Sequence, residues 1–144
     1  MAKLKKLLCL LGIWTGVLAL CVGIGLSLLV VSAMIPSSAV RDNLVQSSEY
    51  LKDSPSINPP GRLLRDNYSD ALMLNITAHI DESRPLNSVL ENRLHLYQEK
   101  QEYSLFCYIQ RGGDGMRQSS YFRCWNGYFV FLRPLLTIVD YEKI

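Results

Sequence analysis

The sequence predicts a mainly α membrane protein. It divides into one N-terminal transmembrane helix, a small helical extracytoplasmic domain containing either a β-hairpin or a looped excursion, and a C-terminal interfacial helix. Three observations carry that expectation. Leu7 to Ile35 is a run of twenty-nine positions without Asp, Glu, Lys, Arg or His. Lys3, Lys5 and Lys6 stand immediately before it. Near the other end, Tyr128 to Val139 is apolar apart from Arg133 but too short to span and interrupted by Pro134. The expected boundaries are a cytoplasmic tail at 1–6, a span at 7–35, a domain at 36–127 and an interfacial or truncated membrane segment at 128–144.

A hydrocarbon core of about 30 Å needs roughly 20 apolar residues in a helix. A lone segment there must be helical, because lipid offers no partner for free backbone groups. Cationic flanks stay cytoplasmic, so the lysines place the N-terminus inside and residues 36–144 outside. A cleaved signal peptide is the rival, with Ser32-Ala-Met34 and Ser37-Ser-Ala39 as small-residue sites. Signal cores run about 7–15 residues, however, and this run is far longer. A lipid-modified Cys21 fits less well, because Leu20 precedes it and apolar chain continues beyond it. Gly12 and Gly16 form a small-xxx-small pair that would let another transmembrane helix approach closely.

Charge narrows the partners. The chain has 15 Lys and Arg against 13 Asp and Glu; without the three leading lysines that leaves 12 against 13, so the exported part is close to neutral. Such a balance fits a lipid bilayer as partner and excludes a nucleic-acid binder. The hundred or so residues after the span suffice for one modest domain.

From Pro36 onward Val40, Leu44, Val45 and Leu51 recur at helical spacing and predict a short amphipathic helix. Asp53-Ser-Pro-Ser-Ile-Asn-Pro-Pro-Gly61, with three prolines, ends it. Another helix is expected around Arg65 to Thr77. Asp66 or Asn67 would cap it and Asp70 would lie in its first turn, where carboxylates satisfy free amides and meet the positive end of the helix dipole. Asp66 and Asp70 are four residues apart and would share a face near Arg62 and Arg65, an arrangement that also suits holding a proton or a divalent cation.

Pro85 opens a further helix, with Leu86, Val89, Leu90, Leu94 and Tyr97 as its buried stripe. Asn67-Tyr-Ser69 and Asn75-Ile-Thr77 match the glycosylation triplet. His79 and His95 have no Cys or Glu at metal-ligand spacing, so they read as ordinary packing or surface residues, and no metal or cofactor is expected. Tyr103 to Ile109 is aromatic and β-branched and predicts a strand, followed by a turn at Arg111-Gly-Gly-Asp-Gly115 and a return through Tyr121 to Cys124. Cys107 and Cys124 are the two exported cysteines, and a disulfide between them stands beside two free thiols as an option. Tyr121, Phe122, Trp125, Tyr128, Phe129 and Phe131 concentrate rings favoured at the membrane interface.

Tyr121-Phe-Arg-Cys-Trp-Asn-Gly-Tyr-Phe-Val-Phe-Leu-Arg-Pro-Leu-Leu136, with Asp66-Asn-Tyr-Ser-Asp-Ala-Leu-Met-Leu-Asn75, resembles two stretches of a family of uncharacterised bacterial multi-pass membrane proteins. The resemblance implies that this chain is the N-terminal portion of a longer fold: an anchor, an outer loop, then many helices. That layout is similar to integral-membrane glycosyltransferases that use lipid-linked sugars, whose first outer loop carries a catalytic acid. It implies Asp66 or Asp70 as general base or metal ligand, with Arg62, Arg65 or Arg133 pairing with a lipid phosphate. Against this enzyme stands a membrane-anchored, non-catalytic protein whose outer domain binds or scaffolds a cell-envelope partner. The second needs only the residues present, and it leads.

Overall fold

The computed structural model describes residues 2–55, 66–97, 100–121 and 126–143. The protein is mostly helical, with one long apolar N-terminal helix and a small two-stranded sheet. Helix α1, Ala2–Ala33, is long and apolar enough to cross a membrane. All of Lys3 to Ile24 is exposed, whereas Leu29, Ser32 and Ala33 are buried against the remainder of the chain. A domain is therefore packed on the C-terminal end of an otherwise bare rod.

Helix α2, Ser37–Leu51, starts after a short turn at Pro36 and buries Val40, Leu44, Ser47, Ser48 and Leu51 along one face. Helix α3, Asn67–Ala78, is the central element, with seven of its twelve residues buried. Of the two expected caps, Asp66 or Asn67, it is Asp66 that accepts from the Ser69 amide at 3.1 Å and from its hydroxyl at 2.6 Å. Helix α4, Pro85–Glu91, begins at the proline as expected but is shorter than its apolar stripe. Asn92 adopts the left-handed conformation, at φ 45° and ψ 54°, and closes the helix. Leu94 then belongs to strand β1, Arg93–Leu96, and packs with Leu72 and Ile76 of α3. Of the expected buried stripe, Val89 is buried in the junction with α1 and Leu94 in a separate cluster against α3, whereas Leu86 and Leu90 are exposed.

The segment expected as a strand at Tyr103 to Ile109 is helix α5, Gln101–Arg111. Its aromatic composition favours strands only weakly. The helix is favoured by a face that packs Leu105 into the core with Ala71 and Leu74 of α3 and Val40 of α2, and by a C-cap at Gly112, φ 67°. Gly112, Gly113 and Gly115, all at positive φ, turn the chain into strand β2, Arg117–Ser120. Strands β1 and β2 pair antiparallel, Arg93 opposite Ser120 and Leu96 opposite Arg117. An antiparallel pair thus exists, but it encloses a whole helix, and it begins earlier than the expected return at Tyr121 to Cys124.

Helix α6, Phe129–Leu135, contains Pro134 one residue before its end. A turn and a final 3₁₀ element, Tyr141–Lys143, lead back beneath α2. This C-terminal segment is built into the domain: Phe129 joins Leu29, Ala33, Ile80 and Val89 in the junction with α1, while Leu136 and Tyr141 join the α2–α3–α5 core.

Candidate functional site

A cleft of about 380 Å³ opens between the N-terminal half of α2, the end of α3 and the end of α5. Its lining includes Ser38, Arg41, Val40, Tyr108, Ile109 and Arg133. Arg41 is exposed at the rim, and Arg133 is fully buried. The guanidinium of Arg133 donates through Nε and Nη2 to the Ile35 carbonyl at 3.2 and 2.6 Å, and through Nη1 to the Thr77 carbonyl at 2.9 Å. Nη2 also donates to the Ser37 hydroxyl at 3.1 Å, and that hydroxyl donates to the Glu82 carboxylate at 2.6 Å.

Two of these carbonyls belong to the C-terminal ends of α1 and α3, where a cation meets unpaired acceptors and the negative ends of two helix dipoles. Arg133 therefore ties together α1, α3, α2 and α6 from the inside. Burial pulls its pKa down to about 10, with the Glu82 charge opposing that shift. Reciprocally, the Ser37 hydroxyl holds the Glu82 carboxyl below its ordinary value, and the Arg133 charge adds to the effect.

Behind the Tyr108 wall lies an arrangement that sequence spacing did not reveal. His79, at the end of α3, places Nδ1 2.7 Å from the Asn75 carbonyl, which can only accept; Nδ1 therefore carries the proton and Nε2 is the acceptor in the neutral ring. Nε2 faces Nδ1 of His95 in strand β1, and the second imidazole donates to the first. Ring centroids 4.3 Å apart, with planes 24° apart and nitrogens in contact, mean that the rings meet edge to edge. Tyr108 covers both, at 3.7 Å from His79 and 5.0 Å from His95.

The fully buried Asn75 holds the pair in register, donating to the His95 carbonyl at 2.9 Å and accepting from the His95 amide at 3.3 Å. Gly113 leaves the His95 ring its space, since a Cβ there would approach Nε2 to 3.1 Å. Burial lowers the His79 pKa from 6.5 to about 4, with the His95 ring adding to the shift, and burial lowers that of His95 as well. At neutral pH both rings are uncharged and linked by one proton.

The acids the sequence singled out occupy structural positions. Asp66 caps α3, and the Ser69 bonds hold its carboxyl below its usual pKa. Asp70 accepts from the Tyr141 hydroxyl. Arg62 and Arg65, proposed to lie beside them, fall outside the described residues, as does Cys124. Cys107 carries a free thiol buried in α5. Both asparagines of the glycosylation triplets are buried and bonded, Asn67 to the Pro55 carbonyl and Asn75 to His95. Gly12 and Gly16 have open space around them. Among the described residues no group of three or more His, Cys, Asp or Glu side chains is placed to hold a metal.

Glu102 is the residue sequence reasoning missed most completely. It lies in the first turn of α5, buried, with both carboxylate oxygens unpaired among the described residues. Only its position beside the apolar run of α5 hinted at that. No protein-family model, curated protein or solved structure matches this chain, so its cleft and its imidazole pair stand on their own geometry.

Proposed function

We propose that this is a membrane-anchored, non-catalytic protein of the cell envelope. On this reading α1 spans the cell membrane with the N-terminus cytoplasmic, and residues 36–144 form an extracytoplasmic domain that binds or scaffolds a partner. One observation carries the reading: the bare, uncharged part of α1 is close to the length of a bilayer core, and the domain is packed on the far end of that helix. Leu7 to Ile24 is eighteen exposed, uncharged residues, about 27 Å of helix, against a hydrocarbon thickness of about 30 Å. The domain is seated on the next two turns through Leu29, Ala33 and Phe129 and through the Arg133 bonds.

The non-catalytic part of the proposal is supported by how the titratable groups are employed. Asp66 caps a helix, Asp70 is held by Tyr141, and Arg133 binds backbone carbonyls. The imidazoles face each other beside Tyr108, both of them half-buried. The cleft beside them, with Arg41 on its rim, offers a recess of about 380 Å³ for a partner's side chains. The alternative is the N-terminal portion of a polytopic membrane glycosyltransferase using lipid-linked sugars, with Asp66 or Asp70 catalytic and Arg62, Arg65 and Arg133 at a phosphate.

Complementation separates the two readings. In cells lacking the protein, the Asp66→Asn, Asp70→Asn double variant should restore any envelope defect as fully as the wild type, at equal protein level. Loss of complementation at equal level would contradict a purely binding role.

A further inference from the structure

Among the described residues, the domain's seat against α1 is incomplete. A groove of about 610 Å³ runs between α1 and α4, with Cys21, Val22, Gly25 and Leu26 on one wall and Val89 and Leu90 on the other. Val89 is buried in the junction, but Leu86 and Leu90, one turn apart on α4, are 45% and 56% exposed. Its polar lining is two amides, Asn92 and Asn126, and the Asn126 side-chain oxygen is buried without a partner among the described residues. An apolar surface of this kind on a soluble domain would call for a protein partner. Depth along α1 points to a different one.

The last charge before the apolar run is Lys6. About 20 residues from Leu7, the length of the hydrocarbon core, end near Leu26, which is itself a lining residue of the groove. Helix α4 therefore lies level with the last turn or two of α1 inside the bilayer, at the boundary between acyl chains and headgroups. Helix α6 starts at Phe129, which packs on Leu29 and Ala33 and accepts from the Ser32 hydroxyl, and it rises from there to Arg133 at the Ile35 carbonyl, so it runs from about 5 to about 13 Å beyond Leu26. We infer that α4 is a second membrane contact of the domain: Leu86 and Leu90 enter the leaflet nearest the domain, and a phospholipid acyl chain fills the groove beside Val22 and Gly25. Burying two leucines in lipid adds to the anchor and fixes the tilt of the domain on the membrane.

This inference rests on α1 spanning the bilayer, so the test includes a label that reports on α1 alone. Full-length protein with Cys9, Cys21 and Cys124 replaced by alanine is labelled with an environment-sensitive fluorophore at Leu90→Cys, at Leu86→Cys, at Leu18→Cys in mid-helix, or at Gln110→Cys on exposed α5. Each is reconstituted at about one copy per phosphatidylcholine vesicle, with lipids carrying a nitroxide either high or low on the acyl chain. Labels at 90 and 86 should lose most of their emission to the high nitroxide, the label at 18 to the low one, and the label at 110 to neither. Quenching at 18 with labels at 90 and 86 as bright as at 110 would overturn the α4 contact alone. No quenching at 18 would overturn the anchor and the contact together. Blue-shifted, unquenched labels at 90 and 86 whose signal rises with protein density would mean that a second copy covers α4, which also overturns the proposal.

Discussion

Removing the Arg133 guanidinium leaves the Ile35 and Thr77 carbonyls without their donor inside the junction, and each buried acceptor deprived of a partner costs about 1–3 kcal/mol. Arg133→Met should therefore destabilise the domain by about 3 kcal/mol, read as a lowered denaturant midpoint of the detergent-solubilised chain. Lysine cannot rescue it, because one ammonium cannot reach both carbonyls and Ser37 in the planar geometry of the fork. A loss below 1 kcal/mol would show that Arg133 does not tie the helices together.

Asp66→Ala should cost about 0.5–2 kcal/mol through loss of the Ser69 bonds, and Asp66→Asn much less. The imidazole pair makes a pH prediction whose sign follows from its lowered pKa values. The His79 ring stays neutral in the fold until about pH 4, with His95 shifted in the same direction, whereas the unfolded chain takes up a proton at a pKa of 6.5. Between pH 6.5 and about 4 the unfolded state binds more protons, so the contribution is fully present above 6.5 and is lost as pH falls toward 4. For His79 alone the loss is on the order of 3 kcal/mol. Urea midpoints taken across that range should fall steeply for the wild type and more gently for His79→Gln. Equal slopes would show that His79 is not held neutral.

Among the helices and strands, local chemistry decided some boundaries and tertiary packing the others. Asp66, Pro85 and the apolar positions of α2 announced themselves, because caps, N-terminal prolines and 3.6-residue spacing act within one or two turns. Helix α5 did not. Tyr103, Phe106, Tyr108 and Ile109 carry strand propensity, and the force that outweighs it is burial of Leu105 against α2 and α3, which is absent from the local sequence. The end of α4 was legible only in Asn92, against an apolar stripe that continues to Leu94. That position makes its own prediction: Asn92→Gly should be nearly neutral, while Asn92→Val should cost about 1–2 kcal/mol for a β-branched residue in the left-handed region. Amide exchange at Asn92, which donates to the Ser88 carbonyl, would register a loosened α4 before the whole domain unfolds.

For the whole molecule, the long apolar helix was plain in composition, and so was the division between a rod and a domain. The His79–His95 contact and the Arg133 clamp were not, because each joins residues far apart in sequence whose types carry no spacing rule. The proposed function depends on α1 crossing the membrane and displaying the domain outside, an expectation that rests on the Lys3, Lys5 and Lys6 bias before the apolar run. Reporter fusions after Arg41 and after Ile144 read that arrangement directly. Both junctions should report the extracytoplasmic side, and cytoplasmic activity at the Arg41 junction would contradict it.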